Sequence, residues 1–299
     1  MTTPRFTLLP DRGVVGVTGP DAAKLLQGLV TNDLDVLERQ RAIHAALLTP
    51  QGKILFDFHV VRWGEGYLLE TGAGGVADLV KRLGFYKLRA KAEIADVTAD
   101  YALAASWAGD LPDVPGVVSY PDSRAEGLGE RVLVPVTDLE TARARWREAG
   151  AVESSLDVYH AHRLELGVPE AGRDYALGDA FPHEAGFDRF HGVDFDKGCF
   201  VGQEVVARMQ HKTVVRKRVV PVTAAADLPG TQPDIAAGEA VIGRLGSVAG
   251  RRGLALLRID RALEAYDKGQ PLQAGGVQIA VDAEALEAYR SALAARAAT

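Results

Sequence analysis

Strand-like and helix-like patterns of apolar and polar residues alternate along the first hundred positions. Residues 6–17 contain two short apolar runs separated by a turn at residues 10–13, and so predict a strand, a turn and a second strand. Residues 22–29 place alanine and leucine at the i, i+3, i+4 and i+7 positions of one helix face, after a Gly-Pro-Asp start. The chain therefore begins as a mixed α/β structure.

The same mixture continues to about residue 100. Residues 43–48 and 53–62 predict two paired strands joined by the turn Thr-Pro-Gln-Gly. Residues 76–83 again have helical spacing, and Gly84 is expected to end this helix.

The middle of the chain has weaker patterns. Residues 111–129 are rich in Pro, Gly, Asp and Ser and predict a loop between two strands. Thr137 followed by Glu140 matches a capping box and predicts the start of a helix. Residues 155–166 predict a further helix, and residues 170–197 have no clear period. A segment of that length inside a folded domain is usually functional or a connection.

A different pattern begins after Arg216. Short apolar runs separated by Gly- and Pro-containing turns predict a small β barrel or sandwich, followed by an Ala-rich helix at residues 282–298. The fold class predicted is α+β. We expect a body at residues 1–213, made of two subdomains with a loop break near residues 108–130, and a C-terminal β-barrel domain at residues 214–299.

Composition and charge narrow the function classes. The 299 residues carry 34 basic and 40 acidic side chains, so a surface that is basic overall, as nucleic-acid and anionic-membrane binding favours, is excluded and any basic site must be local. No apolar run has the ~20 residues needed to cross a bilayer. A single cysteine forms no internal disulfide, which fits a reducing compartment. We expect a cytoplasmic protein with no direct nucleic-acid or membrane partner.

The run DKGCFVGQE at residues 196–204 carries the strongest chemical signal. It holds the only cysteine, Cys199, between Gly198 and Gly202 and just ahead of a helical pattern. Unpaired N–H groups and the positive dipole end at a helix start favour a thiolate, and the neighbouring Lys197 acts in the same direction. Cys199 and Lys197 are therefore the candidate reactive residues.

The surrounding charge indicates a local anion site. Residues 197–218 contain six basic residues and one acidic residue, inside a chain of net charge −6. An ordinary solvated basic surface remains the alternative reading of this cluster. The candidate anion ligands are Lys197 and Arg208.

Five stretches of the sequence resemble one known family. DKGCFVGQE is similar to the K-G-C-[FY]-x-G-Q-E signature of the YgfZ-type folate-binding proteins, relatives of the aminomethyltransferase (T-protein) of glycine cleavage. Other elements of that family resemble LLQGLVTNDL, TPQGKILFDF, RLELGVPE and FPHEAGFD, at residues 25–34, 49–58, 163–170 and 181–188. The resemblance covers most of the chain, except residues 101–150.

This resemblance implies a three-part cloverleaf fold, a tetrahydrofolate site and a role in iron–sulfur cluster assembly or repair that supports radical tRNA-modifying enzymes. Its expected partners are folate and iron–sulfur client or assembly proteins. Glu184 lies where T-protein relatives bind the pterin through a carboxylate, which can accept two N–H bonds. The expected binding set adds the signature residues and Arg208: Gly198, Gly202, Gln203, Glu204 and Arg208. Gln203 and Glu204 can equally orient the loop or cap the helix.

Alternative functions stay open at this point. One is a folate-dependent one-carbon transferase resembling aminomethyltransferases, and another is a client-docking module that binds no folate. Glycine cleavage itself is not the expected activity, because neither Asp33 nor Asp57 sits in the catalytic motif of T-proteins. Since a cluster normally takes four cysteine ligands, Cys199 alone is at most a transient metal ligand.

Overall fold

The computed structural model describes residues 3–297, which divide between two compact units interleaved along the chain. The first unit comprises Met1–Pro50, Ile54–Tyr159 and Arg189–Gln203. The second comprises Gln51–Lys53, His160–Asp188 and Glu204–Thr299.

Two five-stranded sheets form the first unit, within its described residues. The strands, in chain order, are β1 (Arg5–Leu8), β2 (Arg12–Thr18), β3 (Ala42–Leu48), β4 (Ile54–Trp63), β5 (Gly66–Gly72), β6 (Glu93–Asp96), β7 (Tyr101–Trp107), β8 (Val118–Pro121), β9 (Glu130–Pro135) and β10 (Val152–Glu153). One sheet has the order β3-β4-β5-β2-β6 and the other the order β10-β1-β7-β9-β8. The two sheets share no strand, so the contacts between them come from side chains and connecting segments.

Three α-helices lie wholly in this unit as described: α1 (Ala22–Gln27), α2 (Val76–Lys87) and α3 (Leu139–Glu148). The first two cover the β3-β4-β5-β2-β6 sheet, with Leu26 and Leu79 buried in the same apolar core as Val15 and Leu69. Fully burying one such side chain stabilises the fold by about 1.5–3 kcal/mol. The amphipathic spacing of both helices is therefore explained by this core.

Several boundaries differ from the sequence-based expectation. The prediction that Gly84 ends the second helix is wrong, because α2 continues to Lys87 and its buried Leu79 and Leu83 outweigh the ~1 kcal/mol cost of a helical glycine. The predicted capping box is also wrong. The Thr137 hydroxyl bonds the Asp138 side chain, and α3 begins at Leu139 without a side-chain cap.

The second unit is built around a closed barrel with the order β11-β14-β13-β12-β15-β16, within its described residues. Two helices, α4 (Leu156–Glu165) and α5 (Gln203–Lys212), begin in the first unit and continue in the second. The strands of the second unit are β11 (Lys217–Ala224), β12 (Asp234–Ala237), β13 (Ala240–Ala249), β14 (Arg252–Arg258), β15 (Leu272–Ala274) and β16 (Val277–Val281). Its other helices are α6 (Ile259–Asp267) and α7 (Ala283–Ala297). The predicted α+β class with a C-terminal barrel is confirmed. The predicted terminal helix is α7, although its expected last residue, Ala298, lies outside the described residues.

The barrel has its own apolar core. Val220, Ile235, Leu257 and Ala274 point inward from four strands and are almost completely buried. Closing the sheet leaves no unpaired strand edge. Within residues 3–297, no helix is both long and apolar enough to cross a membrane.

Candidate functional site

The loop that carries Cys199 is fixed at its base by one lysine. The Lys197 Nζ donates hydrogen bonds to the backbone carbonyls of Gln27 at 2.9 Å, Val30 at 2.7 Å and Asn32 at 2.8 Å. Gln27 is the last residue of α1, and Val30 and Asn32 lie just after it, all three in the stretch LLQGLVTNDL. Two of the stretches singled out in the sequence are therefore in direct contact, within the first unit.

A second set of hydrogen bonds holds the residues just before the loop. The Thr31 hydroxyl donates to the Gly192 carbonyl at 2.6 Å, and the Asn32 side-chain amide donates to the His191 carbonyl at 2.7 Å. Asp194 in turn accepts the N–H groups of residues 196 and 197 at 2.8 and 3.0 Å. Thr31 and Asn32, here called the Thr-Asn cradle, thus hold the segment at residues 191–192 that leads into the cysteine loop.

The thiol itself lies beyond these anchors. Cys199 is exposed, and a Cβ built on Gly198 meets no atom within 4 Å. Gly202 has a φ of +81°, a conformation that glycine adopts at little cost, and it lets the chain turn into α5. The Gln203 side chain accepts the Phe200 N–H at 2.6 Å and closes the loop on its far side. A thiol on such a loop is accessible, while the backbone around it is held.

Lys197 has an electrostatic environment of its own. Burial lowers the pKa of Lys197 to about 8, against the opposing charges of Asp33 and Asp194. Its amine is directed at three carbonyls, which gives it an anchoring role. Its proposed assistance to Cys199 stays a prediction.

The second unit holds Glu184, the residue expected to bind pterin. Its Oε2 accepts the Phe181 N–H at 2.9 Å, and its carbonyl accepts the Val219 N–H at 2.8 Å. It lines a cavity of about 900 Å³ whose other charged lining residues are mostly basic: Lys212, Arg216, Lys217, Arg258, Asp260 and Arg296. A ligand of folate size with an anionic tail suits this volume and charge.

The remaining predicted site residues fall into two groups. Lys197, Gly198, Cys199, Gly202 and Gln203 lie together in the loop of the first unit. Glu184, Glu204 and Arg208 belong to the second unit, the last two being exposed on α5. Their binding roles stay predictions.

The first unit contains a buried cluster of charged side chains that the sequence patterns did not predict. The Glu70 carboxylate accepts bonds from Arg12 at 2.8 Å, Arg131 at 3.1 Å and the Tyr120 hydroxyl at 2.5 Å. Burial opposes ionisation of Glu70, but the charges of Arg131 and Arg12 outweigh it and hold its pKa well below the ordinary value. Glu70 is therefore an ionised carboxylate in the protein interior.

The other carboxylate of this cluster is Asp122. It accepts a forked pair of bonds from Arg124 at 2.8 and 2.7 Å and a bond from Arg131 at 2.9 Å. His59 lies between the two carboxylates, 3.3 Å from Asp122 and 3.7 Å from Glu70. Because β4 and β5 supply His59 and Glu70 while Arg131 comes from β9, the cluster ties the two sheets together.

His44 extends the cluster toward the cysteine loop. Its ring lies 5.4 Å from the His59 ring, and the backbone of Phe190, at the start of the segment that leads to Cys199, favours its protonated form against the larger opposing effect of burial. Burial lowers the pKa of both histidines, most strongly that of His44. A neutral imidazole is therefore the resting form at this position.

Comparison with known proteins places the chain in a family. Residues 12–107 match the model described as the GCVT N-terminal domain, and residues 216–286 match the CAF17 C-terminal beta-barrel domain. The mitochondrial iron-sulfur cluster assembly factor IBA57 of Homo sapiens is 34% identical over 83% of this chain and 76% of its own length. The Mus musculus factor is likewise 34% identical, over 84% of this chain and 76% of its own. This chain belongs to the IBA57 family.

Coverage and fold comparisons complete this assignment. A fungal relative, the IBA57 homolog of Mycosarcoma maydis, is 33% identical over 78% of this chain, but this IBA57-family chain spans only 60% of that protein. The crystal structure of glycine cleavage system aminomethyltransferase T from Bartonella henselae superposes with a TM-score of 0.74 over 94% of this chain and 86% of its own, at 14% identity. The predicted T-protein-like fold is therefore confirmed.

Two sequence-based expectations are corrected by these comparisons. The resemblance to YgfZ-type proteins identified the right fold, but the family is IBA57. The prediction of a cytoplasmic location is wrong, because the IBA57 relatives compared here are all named as mitochondrial proteins.

Within residues 3–297, no three His, Cys, Asp or Glu side chains come together in a way that could hold a metal ion. Cys199 thus offers one sulfur ligand from an exposed position.

Proposed function

We propose that this protein works in iron–sulfur cluster assembly, with Cys199 as the side chain that contacts the cluster during transfer. The observation that carries the proposal is an exposed thiol on a loop fixed by Lys197 and Gln203. Membership of the IBA57 family supports it, since those relatives are named as iron-sulfur cluster assembly factors.

The cluster is the cargo in this proposal. One thiolate supplies one of the roughly four ligands that a cluster takes, so the others come from a partner that carries or receives it. An accessible cysteine on a rigid loop suits such an exchange, because the loop keeps its geometry as ligands are replaced. The partners are therefore iron–sulfur carrier and client proteins, with radical tRNA-modifying enzymes as one client class.

The test is a reconstituted transfer assay with a cluster-loaded carrier and an apo client. Cys199→Ser should lower the transfer rate to that of the carrier alone, since a serine hydroxyl is a poor ligand for iron. Val241→Ala, an exposed substitution in the barrel, is the matched control and should transfer normally. Full transfer by Cys199→Ser would refute the role of the thiol.

We also propose that tetrahydrofolate binds the cavity lined by Glu184 in the second unit. The support is its volume of about 900 Å³, the basic majority among its charged lining residues and a carboxylate able to accept pterin N–H groups. Glu184→Gln keeps an oxygen for the Phe181 N–H but loses the negative charge. Charge-assisted bonds are roughly twice as strong as neutral ones, so affinity should fall about tenfold.

Anaerobic calorimetry measures this, with the exposed Glu239→Gln as control. An absence of binding at millimolar tetrahydrofolate would refute the folate proposal without touching the role of Cys199. Formation of methylenetetrahydrofolate from tetrahydrofolate and an added S-aminomethyl donor, with release of ammonia and the free thiol, would instead indicate a one-carbon transferase.

A further inference from the structure

The end of α2 and the turn that follows it form a local basic surface, here called the basic turn (residues 81–91). It contains five basic residues and no acidic one, in a chain of net charge −6. Two large apolar side chains project from it, Phe85 with 63% of its surface exposed and Leu88 with 88%. Single exposed leucines are common on proteins. Two large exposed apolar side chains among five basic residues are less common.

The backbone at Leu88 adds an independent observation. The Ala90 N–H bonds the Lys87 carbonyl at 2.7 Å and closes a four-residue turn. Leu88, its first central residue, has φ 44° and ψ −105°, a conformation close to the type II′ turn position that glycine normally occupies. A leucine in this strained conformation with almost its whole side chain in solvent points to a role for that side chain.

Neighbouring contacts hold the turn in place. The Lys91 N–H donates to the Asp21 carboxylate at 2.7 Å, and the Asp21 N–H donates back to the Lys91 carbonyl at 3.2 Å. On the other side, Tyr86 packs against the apolar core of the first unit. The turn is therefore held in one conformation, and binding through its apolar side chains does not require it to become ordered first.

We propose that the basic turn docks this protein on an anionic lipid bilayer, with Leu88 and Phe85 entering the headgroup layer. The size of the feature favours a bilayer over a protein partner. A stable protein interface takes about 20–30 residues a side, whereas a lipid surface can be bound by a few apolar anchors and a group of cations. The overall negative charge makes docking depend on this local patch, so a neutral bilayer gives too little attraction.

The experiment is co-sedimentation of the full chain with vesicles. Vesicles of equal parts phosphatidylcholine and phosphatidylglycerol should bind the protein, those of phosphatidylcholine alone should not, and added salt should weaken binding by screening. Leu88→Gly is the decisive variant, because glycine suits the turn. It should leave thermal stability equal or higher and lower the vesicle affinity by about tenfold.

Two further variants complete the design. Arg89→Glu should weaken binding to the anionic vesicles, and Tyr266→Ala, which removes an exposed aromatic ring from α6 in the second unit, should not. Equal binding to both vesicle types, or wild-type binding by Leu88→Gly, overturns the proposal. Capture of an acidic protein by the basic turn without any vesicle binding would also overturn it, and would identify a protein-docking surface instead.

Discussion

Lys197 makes several of the hydrogen bonds that fix the backbone around Cys199. One amine meets three carbonyls that belong to a turn more than 160 positions earlier in the chain. An ammonium group has three donors, so this arrangement uses each of them once. Lys197 thus supplies three of the hydrogen bonds that attach the cysteine loop, beside those made by Thr31, Asn32 and Gln203.

We therefore expect Lys197→Met to destabilise the protein by about 1–3 kcal/mol, since three carbonyls lose their donor. The thiol of Cys199 should also react faster with an alkylating reagent as its loop loosens. Chemical unfolding and the alkylation rate measure the two effects. Lys24→Met, on the exposed face of α1, is the control, and equal alkylation rates in all three proteins would contradict the anchoring role.

At this scale the sequence was informative about the residues and less so about their roles. The glycines and the lone cysteine marked the loop, and the structure exposes that thiol as a reactive site requires. Lys197 was assigned to the thiol because it is adjacent in sequence. Its actual partners at residues 27–32 depend on tertiary contact, which residue spacing does not encode.

Among the elements, the entry into β9 depends most strictly on a glycine. Gly129 has a φ of +97°, and a Cβ there would lie 1.9 Å from the Ser106 carbonyl oxygen. Gly127, two positions earlier, has a φ of +83°, but a Cβ built on it meets no atom within 4 Å. The two positions therefore share the backbone conformation and differ in the space around it.

Gly127→Ala should accordingly cost about 1–2 kcal/mol, the penalty of a left-handed alanine. Gly129→Ala adds a clash with the β7 backbone and should cost about 3 kcal/mol or more in total. Urea unfolding of the pair separates the two contributions. Equal losses would mean that the β7 backbone moves away freely.

Element prediction succeeded where apolar spacing was strong and failed where it was interrupted. β1, β2 and the barrel strands are short apolar runs bounded by turn residues, a pattern that predicts strands. β8 lies inside the predicted loop because it is a four-residue edge strand that ends in Pro121, a composition also typical of turns. The expected cap at Thr137 was lost to a competing bond with its neighbour Asp138.

For the whole molecule, the buried charge cluster should govern acid stability. The pKa values of Glu70 and Asp122 are lowered in the folded protein. Their contribution to the free energy of unfolding is therefore complete above their unfolded-state pKa values, about 4.3 and 3.9, and is lost as the pH falls below those values. His44 and His59 are also lowered, so the unfolded chain takes up protons first as pH falls through about 6.5. The four groups therefore act in the same direction, and stability falls from pH 7 toward pH 4.

Glu70→Gln tests this account. It leaves Arg12 and Arg131 with less negative charge in the interior and should cost about 3–5 kcal/mol at pH 7. Its stability should also fall less steeply below pH 5, because one titrating carboxylate is gone. Urea unfolding from pH 4 to pH 8 gives both values, with the exposed Glu65→Gln as control. A slope unchanged from the wild type would show that Glu70 does not titrate on unfolding. No sequence motif indicates this cluster, because Tyr120 and Arg131 lie 50 and 61 positions after Glu70 in the chain.

The interleaving of the two units has a consequence for synthesis on the ribosome. The first unit needs residues 189–203, but residues 160–188, which precede them, belong to the second unit. A nascent chain therefore holds an incomplete first unit until about two thirds of it has been made. Lys197 and Cys199 leave the ribosome almost together, so Lys197 is available to fix the loop almost as soon as the thiol has emerged. A chain cut short before residue 197 would keep the Thr-Asn cradle and lose the loop that it holds.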